Sequence, residues 1–401
     1  MGGPVKVTDR VHWVGVLDPD LITFDIIMKT DRGTTYNSYL VKGDNHVALV
    51  DTVKAGFEGE LLAKLGACID PARVDYVIVN HSEPDHSGAV AAVLDRAPHA
   101  TVLGTAKALQ FLQEILNRDF PRRAVKPGEV LDLGGVSLRF IPAPFLHWPD
   151  TMFTWLDEER VLFSGDVFGA HFADEAIFDD AVTSDLAPAV EHYYEAIMGP
   201  FAPHVQRGMK AIEALPVAIV CPAHGPVQRT NPARSIEAYR SWSAPSSHAR
   251  PLAVICYVSA YGYTRALAAA VAEGVQASGA EVEMLDLEET TPHDAAAAAA
   301  RADVVVVGSP TINSSAAPPA AEMLAHLDPF RAKGKVFGAF GSFGWSGEAV
   351  ELLLARAGEL KMRTVTPGIR ASFSPTAEDL DRARQYGTAL VKALTEDQPA
   401  R

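Results

Sequence analysis

The chain reads as two α/β domains in series: a two-sheet sandwich faced by helices, then a doubly wound parallel sheet. Three observations predict this. At 401 residues the chain exceeds what one ordinary core organises. Strand-like runs crowd the first 53 residues and then alternate with helices, the order expected of two packed sheets covered by helices. From residue 251 the pattern is plain strand–helix alternation, with about five strands in about 150 residues. Residues 241–250, Ser-Trp-Ser-Ala-Pro-Ser-Ser-His-Ala-Arg, read as a linker, so the domains are expected over 1–245 and 251–401.

In chain order, residues 12–16, 35–41 and 46–51 are β-branched or aromatic runs broken by Gly, Asp and Pro, and are expected as strands. A short amphipathic helix follows over 57–65, then a buried strand over 74–79 and a helix over 88–96. Strands are expected at 101–103, 136–141 and 161–163, with a helix at 105–116. Residues 174–214 read as mostly helical and acidic, and 217–221 as another apolar strand. In the second half, strands are expected at 252–258, 282–287, 304–308 and 336–340. Helices are expected at 265–277, 294–301, 320–327, 347–357 and 377–395. The six alanines 295–300 are plain helix propensity.

Hydrophobic content of 48% with 21% charged residues is that of a folded soluble protein. The net charge of -15 argues against nucleic acid or an anionic membrane surface as partner. Cys68, Cys221 and Cys256 lie far apart with no C-x-x-C pair, which excludes a cysteine-ligated zinc ribbon or rubredoxin-like iron centre and suits a reducing cytoplasm. The first residues carry no apolar targeting segment, and no run reaches ~18 apolar residues. Lys6 stands where a myristoylation signal wants Ser or Thr, so no lipid anchor is expected.

The chemistry begins in Asn80-His81-Ser82-Glu83-Pro84-Asp85-His86-Ser87-Gly88, where the strand over 74–79 ends. Such strand exits are the usual place for chemistry in an α/β layer. His81, Glu83, Asp85 and His86 are four candidate metal ligands within six positions, and in a loop of mixed turns they can be divided between two ions. His147, Asp166 and His224 share the context: each leaves an apolar strand beside Gly or Pro. Any one of these histidines alone reads as a satisfied core or surface residue, and Asp166 alone as a helix cap. Seven in this order read as a metal centre.

His81-Ser82-Glu83-Pro84-Asp85-His86, followed by His147, Asp166 and His224, resembles the ligand order of the metallo-β-lactamase superfamily across roughly the first 240 residues. The hydrolases of that superfamily have H-x-H-x-D-H, and Glu83 stands here in place of the second histidine. A carboxylate is a harder, anionic ligand that moves preference from zinc towards iron or manganese. With the second domain behind it, the chain resembles the flavodiiron proteins (A-type flavoproteins) over its full length. Thr35-Tyr36-Asn37-Ser38-Tyr39-Leu40, Leu146-His147-Trp148-Pro149-Asp150 and Gly341-Ser342-Phe343-Gly344-Trp345-Ser346-Gly347 share in that resemblance.

The resemblance implies an αββα metallo-β-lactamase-like sandwich followed by a flavodoxin-like domain. It implies one iron on His81, Glu83 and His147, another on Asp85, His86 and His224, and Asp166 bridging both. His86 is either a ligand or a hydrogen-bond donor beside the metals. Tyr193 or Tyr194 can present a phenol to a bound intermediate, and His171 can hydrogen-bond near the metals. Many members of the family carry a histidine in the early loop where this chain has Ile22-Thr23-Phe24-Asp25.

In the second half, Ser259-Ala260-Tyr261-Gly262-Tyr263-Thr264 opens a helix with hydroxyl and backbone N–H groups suited to a single phosphate. It is neither G-x-G-x-x-G nor a nucleoside-triphosphate loop. Pro310-Thr311-Ile312-Asn313 and Ser342-Phe343-Gly344-Trp345-Ser346-Gly347 follow the third and fourth strands, where flavodoxins hold an isoalloxazine, and FMN is the expected cofactor.

The resemblance therefore implies a cytoplasmic oxidoreductase that passes electrons from an external donor through FMN to two non-haem irons, reducing O2 to water or NO to N2O. The donor would be a rubredoxin, a reduced deazaflavin or a flavin reductase. A head-to-tail homodimer, or a tetramer built from dimers, would bring flavin and iron together. Two other readings are a zinc-dependent hydrolase with a flavodoxin passenger and a plain FMN electron carrier; Glu83 argues against the first and the complete ligand set against the second.

Overall fold

The structure, a computed structural model, describes residues 2–24, 28–244 and 249–395. It divides into two compact units, Met1–Pro245 and Ser246–Arg401.

The first unit is a sandwich. One sheet has seven strands in the order 5–6, 11–13, 39–42, 47–50, 76–78, 101–104 and 122–124. It is antiparallel as far as the pair 39–42 with 47–50, and parallel from there on. The other sheet has five strands, 130–132, 137–142, 152–156, 161–165 and 219–222. The central strands are apolar on both faces because both are covered. In Val47–Val50, Ala48 and Val50 point between the sheets with Trp13, Phe140 and Phe163. Val47 and Leu49 point outward beneath Leu61, Leu65 and Val93 of the covering helices. Alternate burial on two faces is what a strand period of two requires of a doubly covered sheet.

Several expectations are corrected here. The runs 12–16 and 35–41 each break in two, at Val14-Gly15 and at Asn37-Ser38. The breaks face each other: a Cβ on Gly15 would collide with the backbone of Tyr36 to Ser38, so only glycine allows the approach. Strand 152–156 was not expected, because Met-Phe-Thr-Trp-Leu is buried at every position and shows no alternation to read. The helix expected over 88–96 is a short turn, Pro84–Ser87, and then Val90–Arg96. In 174–214, helix begins only at Ala187, and a π-helical turn, Tyr194–Met198, interrupts it. Residues 241–242 close a helix, Pro232–Trp242, instead of opening a linker; residues 245–248 of that expected linker lie outside the described residues.

The second unit is a parallel sheet in the order 281–286, 252–257, 304–308, 336–343 and then a split fifth strand, 363–364 and 369–372. That strand escaped expectation because it is short, half polar and divided at Pro367-Gly368. Val254, Cys256, Val305 and Val307 pack one face against one group of helices, and Ile255, Val304 and Val306 the other. Among the described residues no helix is long and apolar enough to cross a membrane.

Helices Tyr263–Ala277 and Ala377–Lys392 touch backbone to backbone. A Cβ on Gly274 would overlap the carbonyl of Arg384, and one on Gly387 that of Val271. Gly274→Ala is therefore expected to destabilise this unit by about 1–3 kcal/mol through overpacking, although Ala is the better helix former. Reduced hydrogen-exchange protection of residues 263–277 in the full chain is the measurement; unchanged protection would refute the contact.

Candidate metal centre and flavin loops

The loop 80–88 is held from behind before any metal is considered. Asp51, at the exit of strand 47–50, accepts hydrogen bonds from Asn80 N at 2.8 Å and from Asn80 Nδ2 at 3.1 Å. Asn80 Oδ1 in turn accepts from Thr154 Oγ1 of the other sheet at 2.7 Å. Thr52 Oγ1 donates to the His86 carbonyl at 2.7 Å. These bonds fix where each side chain of the loop projects. Burial, opposed by His86 and Asn80, raises the Asp51 carboxyl to about 6.

All seven candidate ligands converge. His81 Nε2 and His147 Nε2 lie 3.0 and 3.1 Å from Glu83 Oε2, and each is 3.6 Å from Asp166 Oδ2. On the other side, His86 Nε2 and His224 Nε2 lie 3.0 and 3.5 Å from Asp166 Oδ1. Asp85 completes that group, 3.5 Å from His86 and 3.2 Å from His224. Asp166 thus turns one oxygen to each group. The ligand atoms of His81, Glu83, His86 and Asp166 lie within 4.8 Å of one another, as do those of Asp85, His86 and His224.

The donor set fits cations. Both Asp85 oxygens, Asp166 Oδ2, His86 Nε2 and His224 Nε2 are buried with no hydrogen-bond partner. Buried polar atoms need partners, and a metal ion is one these five could share. Burial alone would lower the His224 imidazole, but the Asp166 and Asp85 carboxylates override it and push it up to about 10. Burial would likewise raise Glu83, and the imidazoles of His147 and His81 instead hold it well below the usual carboxylate range. Each shift reports how closely imidazoles and carboxylates are set against one another in the cluster.

Two ligands are oriented by groups the sequence reading did not single out. His224 Nδ1 lies 2.6 Å from the Thr35 carbonyl, which can only accept, so Nδ1 carries the proton and Nε2 offers its lone pair to the cluster. His81 Nδ1 lies 3.3 Å from Asp150, whose other oxygen accepts from Ser82 N and Oγ. The signal for Asp51 was present: like Asp166, it leaves an apolar strand. Asn37 shows why the early strands break, for its Nδ2 donates to the carbonyls of Pro222 and Gly225 and so secures the turn bearing His224.

Among the other candidates, Tyr193 is brought to the site, its hydroxyl donating to Asp166 Oδ1 at 3.2 Å. Tyr194 is turned elsewhere, its ring packed on Tyr239 and Trp242. His171 Nδ1 lies 2.9 Å from Thr34 Oγ1, with its ring 5.2 Å from that of His224. Phe24 lies against it at 4.3 Å and lines a cavity of about 170 Å³ with Lys54, Glu83 and Asp85.

The three flavin candidates lie at the carboxyl ends of three adjacent strands, 252–257, 304–308 and 336–343. Ser342 and Phe343 belong to the last strand itself. Gly262 starts helix Tyr263–Ala277 at φ +81, a conformation that favours glycine. Ser259, Ala260 and Tyr261 precede it, and Thr264 Oγ1 meets Ser342 Oγ at 2.9 Å, tying the first loop to the third. Pro310 leads into the small hairpin that begins at Thr311 and Ile312, with Asn313 in its turn. Gly344, Trp345, Ser346 and Gly347 lead into helix Glu348–Glu359. Tyr261 and Trp345 are 84% and 92% exposed, aromatic surfaces of the kind a flat ring covers. Phe373, missed by the sequence reading, is exposed beside Gly344 just after the fifth strand.

Asn80→Ala would remove the Nδ2 bond to Asp51 and the acceptor of Thr154 Oγ1, leaving both buried partners short of a bond while the backbone N–H of residue 80 still reaches Asp51. The expected cost is about 1–3 kcal/mol, read from the denaturation midpoint of the full chain; an unchanged midpoint would show that the Asn80 side chain does not hold the loop.

Residues 34–225 match the ODP family beta lactamase and residues 255–387 match flavodoxin. The chain is 43% identical to the type A flavoprotein of Rhodobacter capsulatus over 98% of this chain and 92% of that protein. It is 38% identical to a nitric oxide reductase of Moorella thermoacetica over 99% of this chain and all (100%) of that protein. Among solved structures, rubredoxin oxygen:oxidoreductase from Desulfovibrio gigas superposes with a TM-score of 0.75 at 30% identity, covering 98% of both chains. The flavodiiron protein of Giardia intestinalis superposes with a TM-score of 0.72 at 29% identity, covering 98% of this chain and 97% of that one. Identity sustained across both domains makes this chain a member of the type A flavoproteins, the flavodiiron family of oxidoreductases.

Proposed function

We propose that the chain is a cytoplasmic oxygen or nitric oxide reductase, reducing O2 to water or NO to N2O with electrons from a separate donor. FMN and a pair of non-haem irons supply the redox chemistry when bound. One observation carries the reading: Asp166 presents its two oxygens to two different ligand groups, and one of those groups contains Glu83.

In this reading His81, Glu83 and His147 hold one iron, and Asp85, His86 and His224 the other. Asp166, with one oxygen turned to each group, would serve both irons. The ligand role of His86 rests on its 3.0 Å approach to Asp166 Oδ1. Three carboxylates in one buried site favour hard cations and ease a rise in oxidation state. Asp150 and the Thr35 carbonyl keep the lone pairs of His81 and His224 turned inward. Tyr193 stands beside Asp166 as a hydrogen-bond donor, and Phe24 lines the nearby cavity with an apolar face. Loops 259–264, 310–313 and 342–347 would hold FMN, and the start of helix Tyr263–Ala277 would offer backbone N–H groups to its phosphate. The donor is a rubredoxin, a reduced deazaflavin or a flavin reductase, and the working form is a homodimer or homotetramer.

Anaerobic reduction followed by stopped-flow mixing is expected to show rapid flavin reoxidation with O2, with NO, or with both. Slow reoxidation with each would refute the activity. Metal analysis of the purified protein is expected to find iron, and zinc without iron would favour the hydrolase reading. Glu83→His is expected to lower the iron-to-zinc ratio by at least about tenfold, and an unchanged ratio would sink the role given to Glu83.

A further inference from the structure

His224 enters the cluster from the turn that follows strand 219–222. One buried side chain holds both ends of that turn. Asn37 donates from Nδ2 to the Pro222 carbonyl at 2.9 Å and to the Gly225 carbonyl at 2.8 Å, and its Oδ1 accepts from Trp13 Nε1 at 2.8 Å. The orientation of the amide is forced. An indole N–H can only donate and a carbonyl can only accept, so a flipped amide would lose all three bonds. The indole is fixed in its turn by Lys64, a buried cation on helix Glu58–Cys68. Lys64 Nζ lies 4.4 Å from the centre of the Trp13 ring and donates to the Gly15 carbonyl at 2.6 Å.

Further bonds leave the turn one position. Asn37 N donates to the Ala223 carbonyl at 2.8 Å, Gly225 N to Thr35 Oγ1 at 2.8 Å, and the Tyr39 hydroxyl to the Pro222 carbonyl at 2.7 Å. With the Thr35 carbonyl 2.6 Å from His224 Nδ1, His224 Nε2 comes to 3.2 Å from Asp85 and 3.5 Å from Asp166. The three bonds of the Asn37 side chain thus run between Trp13 and this turn. The other ligand group is supported elsewhere, His81 by Asp150 at 3.3 Å and its loop by Asp51.

We propose that Trp13 and Asn37 are positioning residues for one of the two metal positions, that of Asp85, His86 and His224. The proposal rests on the two-iron reading. The pair acts through the backbone of the turn. Asn37→Asp, nearly unchanged in size, would set a carboxylate oxygen against two carbonyl oxygens in a dry interior, and the turn would have to move away. That movement withdraws His224 Nε2 from Asp85, while His81, Glu83 and His147 keep their own supports. One metal position can therefore be weakened without the other.

The test is iron content per chain of the purified full-length protein after competition with a chelator. Wild type is expected to retain two irons and Asn37→Asp one, the second being held at least about tenfold more weakly. Trp13→Phe keeps a buried ring and removes only the N–H, and is expected to weaken the same position. Adding His224→Ala to Asn37→Asp is expected to cost no further iron, whereas adding His147→Ala costs the remaining one. Leu112→Ala truncates the core beneath helix Ala106–Leu116, away from the turn, and is expected to lower the melting temperature while keeping both irons. Wild-type iron affinity in both Asn37→Asp and Trp13→Phe, equal loss of both irons, or the same loss in Leu112→Ala would overturn the proposal and leave the two-iron reading standing. A wild type that holds no iron pair would refute that reading and the proposal with it.

Discussion

Seven ionisable side chains meet in one interior, and six of them, all but His147, are buried. Charge cannot be held there unless it is compensated, because removing one partner of a buried group leaves the rest exposed to the full cost of desolvation. The surrounding sandwich is arranged to meet that constraint. The Thr35 carbonyl and the Asp150 carboxylate, outside the cluster, face the outer nitrogens of His224 and His81, while inside it both Asp85 oxygens and Asp166 Oδ2 are left without hydrogen bonds. The strand breaks at Gly15 and Asn37 serve the same end, since they let two early strands grip the turn that brings in His224 from nearly 190 residues away. The broken strands are thus where local regularity is given up to complete the site.

The ligand set was legible because each member leaves a strand, and strand exits are marked in sequence by a polar residue following an apolar run. The same rule marks Asp51, but its carboxylate points at a loop and not at a metal, so nothing in residue type separated it from a turn. Thr35 was beyond reach, because it acts through its main-chain oxygen and any residue has one. Tyr193 and Tyr194 are adjacent and chemically identical. Only the helical rotation, with its π-turn beginning at Tyr194, turns one hydroxyl to Asp166 and packs the other ring on Tyr239. The fold was legible where periodicity was clean, as in Val304–Gly308. It was lost where a strand is buried throughout, as in Met152–Leu156, or divided, as in 363–372.

Glu83 and Asp166 divide the electrostatic work. Glu83 sits between two imidazoles and would set the character of one metal position in the proposed reading, whereas Asp166 faces both groups and would be shared by them. A change at the first would alter which metal is preferred. A change at the second would uncouple the two sites, because no other side chain in the cluster gives one oxygen to each group.

The backbone contact between helices Tyr263–Ala277 and Ala377–Lys392 bears on the order in which the protein matures. The helix that opens at the phosphate-binding loop is seated by a segment made more than a hundred residues later. All seven candidate metal ligands, by contrast, have been synthesised by residue 224. Domains fold as units during synthesis, the N-terminal one first. On a ribosome the half with the candidate metal cluster can therefore close while the other half is still incomplete, and the nascent chain can assemble that cluster before the proposed flavin loops are seated.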